Sequence, residues 1–369
     1  MRQVLAVGIG RDERRRAALS VVAPGTPLRD GLERIVHGNT GALIVLGFDP
    51  IVGEICSGGF ELNVGFAATR LRELAKMDGA IVLDQACTQI LRAAVQLIPD
   101  PGLPTSESGT RHRTAERVSR QTGYPVIAVS KSMRTVAVFT AGERYVLEDS
   151  AALLTRAHQA LATLERYKHR LDDAAAALTA LEIEDRAAIA DIARLAQRLE
   201  MASRVTEEIA GCLVELGTDA GSIGLQLEEL TAGTSREREL LLRDYRPAAT
   251  AVCGATPDEP AHAADRALSG LSADDLVDLP SVAAAIGLGP AAGMDEHVSP
   301  LGHRVLGQIP RLPQAAADGL VAEFGSLQKL LSASAQDLRR VPAIDAGLAS
   351  RVREGLSRIA ESALLERYQ

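Results

Sequence analysis

Lys76-Met77-Asp78-Gly79-Ala80-Ile81-Val82-Leu83 sets a carboxylate and a glycine at the mouth of an unbroken apolar run. A run that short and that apolar predicts a strand buried on both faces, the kind found in a layered α/β sheet. Similar runs at 42–46, 126–129 and 136–139 predict three more strands. Helical stretches are expected between them at 69–77 and 110–122, the second stopped by Gly123 and Pro125. Residues 1–148 therefore predict one α/β domain.

Downstream the punctuation disappears, since no proline occurs between Pro125 and Pro247. Apolar residues then step by threes and fours, through Leu154, Leu161, Leu164, Leu171, Leu178, Ile189, Ile192, Leu195 and Leu199. That spacing predicts a pair or more of long amphipathic helices, whose stripes need a partner helix in the chain or in another subunit. Residues 254–299 hold eight acidic residues against the single Arg266, which predicts a solvated linker or loosely packed helical connector. A helical spine with this connector occupies 149–300, and short helices broken at Pro310, Pro313 and Pro342 fill 301–369.

Composition narrows the function. With 46% apolar and 24% charged residues the chain is globular, and 369 residues suggest more than one domain. A net charge of -8 argues against a whole-protein embrace of DNA, and with no Trp and 3% aromatics a stacking platform for single strands is hard to build. Cys56, Cys87, Cys212 and Cys253 lie too far apart for a zinc site or disulfide framework and predict reduced thiols. The apolar opening at 4–9 is shorter than a secretory core, and no run is long enough for a bilayer, so a folded N-terminus and a cytoplasmic protein are expected. Gly8 and Gly10 lack the third glycine of a dinucleotide fingerprint. The histidines other than His112 show no metal-ligand spacing.

The chemistry concentrates in two places. Gly79 lets a ligand approach the backbone, and Asp78 offers a hard oxygen suited to Mg²⁺ or Mn²⁺ on a nucleotide's phosphates, at a strand end where open sheets place ligands. Asp-Gly alone is more often a turn. The loop Pro104-Thr105-Ser106-Glu107-Ser108-Gly109 leads into Thr110-Arg111-His112-Arg113-Thr114, a helix start with two guanidinium groups and an imidazole. Arginine in a first turn opposes the helix dipole, whereas free N–H groups and bidentate cations suit polyphosphate.

These two segments, with Gly38-Asn39-Thr40-Gly41-Ala42-Leu43-Ile44-Val45-Leu46-Gly47 and Arg92-Ala93-Ala94-Val95-Gln96-Leu97-Ile98-Pro99-Asp100, resemble the diadenylate cyclase (DAC) domain from about Val22 to Val138. The following spine and terminal module resemble the DisA subfamily. The resemblance implies a mixed central sheet flanked by helices, an all-α spine and an all-α C-terminal helix-hairpin-helix domain like domain 2 of RuvA. It also implies condensation of two ATP into cyclic di-AMP with Mg²⁺ or Mn²⁺. Asp78 falls on the family's metal-holding aspartate, and Arg111, His112 and Arg113 on its triphosphate clamp. Gly79, Leu97, Thr110, Thr114 and Ser130 fall where it lines the nucleotide pocket, Leu97 against adenine. A homo-oligomer, an octamer by resemblance, and binding of branched DNA such as Holliday junctions are implied as well. An ATP-sensing, DNA-binding scaffold that never joins its nucleotides is the alternative.

Two helix-hairpin-helix copies are expected. Leu306, Ile309, Leu312, Ala317 and Leu320 fit the apolar positions of the first, and Leu338, Val341, Ile344, Ala349 and Val352 those of the second. Arg311 and Pro313, then Ala343 and Asp345, stand where glycines usually free backbone N–H groups for phosphate. Asp345 sets a negative charge where phosphate is expected.

Overall fold

The computed structural model describes residues 11–148, 150–245, 259–289 and 293–366. The opening at 4–9, Gly8, Gly10 and Cys253 lie outside them. The chain divides into two compact units, Met1–Gln159 with Ile209–Leu225, and Ala160–Glu208 with Gln226–Gln369.

In the first unit α1 (Arg11–Val21), α2 (Pro27–His37), β1 (Ala42–Leu46), α3 (Pro50–Ile55), β2 (Cys56–Ser57), β3 (Phe60–Gly65), α4 (Ala68–Leu74), β4 (Ala80–Leu83) and β5 (Gln89–Leu97) follow in order. Then come α5 (Thr110–Thr122), β6 (Val126–Ser130), β7 (Thr135–Thr140) and β8 (Glu143–Val146). The sheet runs β2-β5-β4-β1-β6-β7-β8, with β3 also on β5. Only the β1–β4 pair is parallel among the described strands, so the sheet is mixed.

The apolar runs are continuous because helices cover both faces. Ile44 and Leu46 share a core with Leu19, Leu32 and Leu71 of α1, α2 and α4. Their neighbours Leu43 and Val45 point the other way, into a core with Val52 of α3 and Val118 of α5. Local signals set the helix ends. Thr26 accepts from Arg29 N–H at 3.2 Å ahead of Pro27, Asp49 accepts from Val52 N–H at 2.9 Å ahead of Pro50, and Gly123 closes α5 at φ 74°. The helix expected at 69–77 stops at Leu74, and residues 75–79 turn into β4.

The second unit is helical. It takes most of α6 (Ser150–Ile183) and α7 (Ile189–Leu216), then the end of α8 (Gly221–Thr231), α9 (Thr234–Asp244), α10 (Glu259–Ser269), α11 (Ala273–Val277) and α12 (Leu279–Ala285). The spine stripe finds its partners within the chain: Leu171 and Leu178 share a core with Ile192, Leu195, Leu199, Leu241 and Leu242. Leu268, Leu276, Val282 and Ile286 join that core, so the described part of the acidic stretch is a packed helical connector and not a solvated linker. Its acidic residues serve helix starts, as where Asp278 accepts from Ser281 N–H at 3.0 Å.

The unit continues through α13 (His303–Gly307), α14 (Gln314–Phe324), α15 (Leu327–Ser332), α16 (Ala335–Leu338) and α17 (Ala346–Glu366) around a separate core. All the apolar positions expected for 306–320 and 338–352 are buried there except Leu312, which is partly buried. Arg304, 1% exposed, pairs with Glu182 at 2.7 Å and Glu237 at 2.7 Å, while Tyr245 donates to Glu182 at 2.7 Å. Asp244 accepts from the backbone N–H of Gly302, His303 and Arg304 at 2.7, 2.6 and 2.7 Å, capping α13. Among the described residues no helix is long and apolar enough to cross a membrane.

Candidate functional site

Because β1 and β4 are parallel and β5 and β6 antiparallel to them, the starts of β1 and β4 and the ends of β5 and β6 meet at one end of the sheet. A cavity of about 920 Å³ opens there, beside the first turn of α5. It lies at the amino ends of the parallel strands, the reverse of the arrangement usual in open α/β sheets. The loops and the helix that supply polar groups all reach that end.

The wall from β4 depends on Gly79. Its φ is 109°, and a Cβ there would lie 2.6 Å from the Ala94 carbonyl carbon and 2.9 Å from the Val95 oxygen. No side chain fits, because Ala94, itself at φ 53°, bulges β5 toward the turn. Ala80, Val95, Gln96 and Leu97 complete this side.

The opposite wall is α5. Gly109 precedes it without a side-chain cap, and no acidic residue stands in its first turn. The Thr110, Arg111 and His112 N–H groups come before the first helical bond, from Arg113 N–H to Gly109 carbonyl at 2.9 Å. Thr110, Arg111, His112 and Thr114 line the cavity. Their loop is anchored from behind by Glu116, 2% exposed, which accepts from Thr105 hydroxyl at 2.6 Å, Ser106 N–H at 3.1 Å and Arg120 at 2.9 Å.

His112 sets its ring edge-to-face on Phe139, with centroids 6.1 Å apart. Its Nε2 is buried with no hydrogen-bond partner among the described residues. Burial, aided by the Arg144 and Arg111 charges and opposed by Glu107, holds its pKa below the ordinary histidine value. The uncharged form of the imidazole is thus favoured, on a side chain that lines the cavity.

Of the residues singled out from sequence, Gly79, Leu97, Thr110, Arg111, His112, Thr114 and Ser130 line this one cavity. Asp78 and Arg113 do not. Both are exposed, Asp78 next to the wall residue Gly79 and Arg113 in the first turn of α5. Sequence reading passed over Asn39, Lys131 and Ser132, which also line it. Asn39 takes φ 52° in the turn between α2 and β1, a turn that Asn-Thr-Gly could have signalled. Lys131 follows a strand and carries no motif.

Among the described residues no group of three or more His, Cys, Asp or Glu forms a cation cage. Asp78 engages no hydrogen bond or ion pair there either. One exposed, uncommitted carboxylate beside a polar cavity fits a divalent cation that arrives with a nucleotide and keeps most of its ligands from phosphate and water. It does not fit a dedicated protein cage.

Comparison with known proteins gives the family. Residues 29–144 match the family described as DisA bacterial checkpoint controller nucleotide-binding, and residues 147–294 the DisA bacterial checkpoint controller linker region. The DNA integrity scanning protein DisA of Frankia alni is 58% identical over 354 residues, covering 96% of this chain and 97% of that one. Those of Acidothermus cellulolyticus and Streptomyces coelicolor are 56% and 57% identical, each over 97% of this chain and over 96% and 95% of their own length. With identity that high along nearly the full length of both partners, the chain belongs to the DisA family of diadenylate cyclases, which are nucleotidyltransferases.

Proposed function

We propose that the cavity binds ATP and that two such sites, face to face in an oligomer, condense two ATP into cyclic di-AMP and two pyrophosphates. The observation that carries this reading is the convergence of Gly79 and Ala80 with Thr110, Arg111 and His112 on one cavity. In each half-reaction a ribose 3'-oxygen bonds to the α-phosphorus of the other ATP, the α–β bridging bond breaks, and pyrophosphate leaves. Such transfer needs positioning and charge neutralisation more than a protein nucleophile.

The α5 N–H groups and Arg111 receive the triphosphate oxygens and steady the departing charge. His112, held neutral, offers a ring nitrogen to a phosphate oxygen or the hydroxyl proton, and Ser130 and Thr114 donate from their hydroxyls. Leu97 lies against the base. Asp78 and Gly79 sit where a 3'-hydroxyl would approach, and Asp78 is the residue to hold a divalent cation. Bound Mg²⁺ or Mn²⁺ would supply neutralisation of phosphate charge and polarisation of the attacking hydroxyl. Exposure of Asp78 and Arg113 suits groups that act across the plane where two copies meet. A homo-octamer built on the 149–300 spine answers that requirement.

For 301–369 we propose a pair of helix-hairpin-helix motifs that bind branched DNA and regulate the cyclase. Burial of the expected apolar positions supports the motif. Arg311 takes φ 60°, the backbone conformation for which a hairpin glycine is normally needed. Asp345, by contrast, spends its carboxylate on Leu348 N–H at 2.7 Å as a helix cap. The first hairpin is therefore the better phosphate contact.

Incubation of the protein with ATP and Mn²⁺, followed by chromatography for cyclic di-AMP, tests the enzymatic reading. Formation of the product supports it; ATP binding without product leaves the scaffold reading. Mobility shift with a Holliday junction at low salt tests the DNA reading, and no retention would overturn it.

A further inference from the structure

Gly41 is not in the left-handed region, so its backbone conformation does not demand glycine. Space does. A Cβ built on it would overlap Nη1 of Arg111 and lie 3.0 Å from Arg111 Cζ and 3.2 Å from the Val129 carbonyl oxygen. The guanidinium therefore rests in a slot over the start of β1, where Ala42 pairs with Val129 of β6. No side chain holds it there, for Arg111 forms no ion pair or hydrogen bond among the described residues. A long cation with no partner has many rotamers, and a slot against backbone removes some of them before any ligand binds.

We infer that Gly41 is a positioning residue for the reaction: its missing side chain leaves the slot that keeps the Arg111 guanidinium on the cavity wall. Gly41 itself touches no ligand. The inference rests on the reading of this cavity as the ATP site and adds to it what aims the cation. Gly79 differs, because its glycine is required by φ and by backbone, whereas a Cβ at Gly41 would chiefly push aside one movable side chain.

The test is a double-mutant cycle of Gly41→Ala and Arg111→Ala, with ATP affinity read by calorimetry and KM and kcat by product formation. Gly41→Ala should raise the ATP dissociation constant and KM about tenfold or more, the loss of one charge-assisted contact. In the Arg111→Ala background the same substitution should change neither. Equal losses in both backgrounds, or no loss with Arg111 present, overturn the inference while the ATP reading stands. Wild-type protein that binds no ATP overturns both. Should Gly41→Ala fail to fold, recovery of folding in the double variant supports the slot; failure of the double variant too puts the clash at Val129 and overturns it.

Discussion

The Thr105 hydroxyl donates to the Glu116 carboxylate at 2.6 Å, tying the loop before α5 to the buried face of that same helix. Burial opposes the charge on Glu116. Thr105, Arg120 and Ser106 N–H outweigh it and hold the carboxyl below the usual range. Glu116→Gln should loosen the loop, raising KM for ATP and costing roughly 1.5–3 kcal/mol for each charge-assisted bond lost. A carboxyl depressed on folding stabilises above its unfolded pKa and loses that contribution as pH falls through the folded one. Urea unfolding should then show the gap between wild type and variant closing toward acid. A constant gap would contradict the charge argument.

Asp78 is exposed and its side chain makes no hydrogen bond or ion pair among the described residues, so little stability should depend on it. Asp78→Asn should leave the melting temperature unchanged and lower cyclic di-AMP formation by about 10²–10³-fold or more. Near-normal turnover in the purified variant would remove Asp78 from the reaction.

His112 should titrate below the ordinary histidine value of about 6.5. Burial is the main cause and Glu107 opposes it, so Glu107→Gln should lower the value further. Proton NMR of the imidazole checks both. An ordinary or raised value would contradict the dominance of burial at this ring.

Asp244 should make the helical unit lose stability as pH rises. Burial and the adjacent Glu182 push its carboxyl up to about 7, against the N–H groups of Arg304 and His303 and the Arg304 charge. The folded state therefore binds a proton more tightly than the unfolded one, which favours folding below pH 7 and fades across the window from about 4 to 7. Melting curves of wild type and Asp244→Asn, followed by circular dichroism from pH 5 to 8, should converge or cross as the wild type loses ground. Parallel curves would rule this out.

The elements with the strongest local signals were the legible ones. β1, β4 and α5 stand where their apolar runs and the Gly123 stop put them, since residues covered on both faces carry no ambiguity. β5 was hidden because Arg92 and Gln96 interrupt it and Ala94 bulges it, so neither a run nor an alternation shows. In the acidic stretch charge leaves a solvated linker and a helical connector equally open, and Ala261, Leu268, Leu276 and Val282, which enter the core, decide for the connector. Of the motif residues, Gly79, Arg111 and His112 line the cavity while Asp78 and Arg113 do not, and Lys131 carries no signal because only the return of β6 beside β1 brings it there.

That pairing of β6 with β1 has one more consequence. Two walls of the cavity, around Leu43 and Val129, are rungs of a single central ladder. Their amides should exchange with deuterium only through global opening, while those near Gly109 exchange through local fraying. A nucleotide in the proposed site would then rest on a floor fixed on every timescale short of unfolding, and gating of the reaction would fall to the lip of α5.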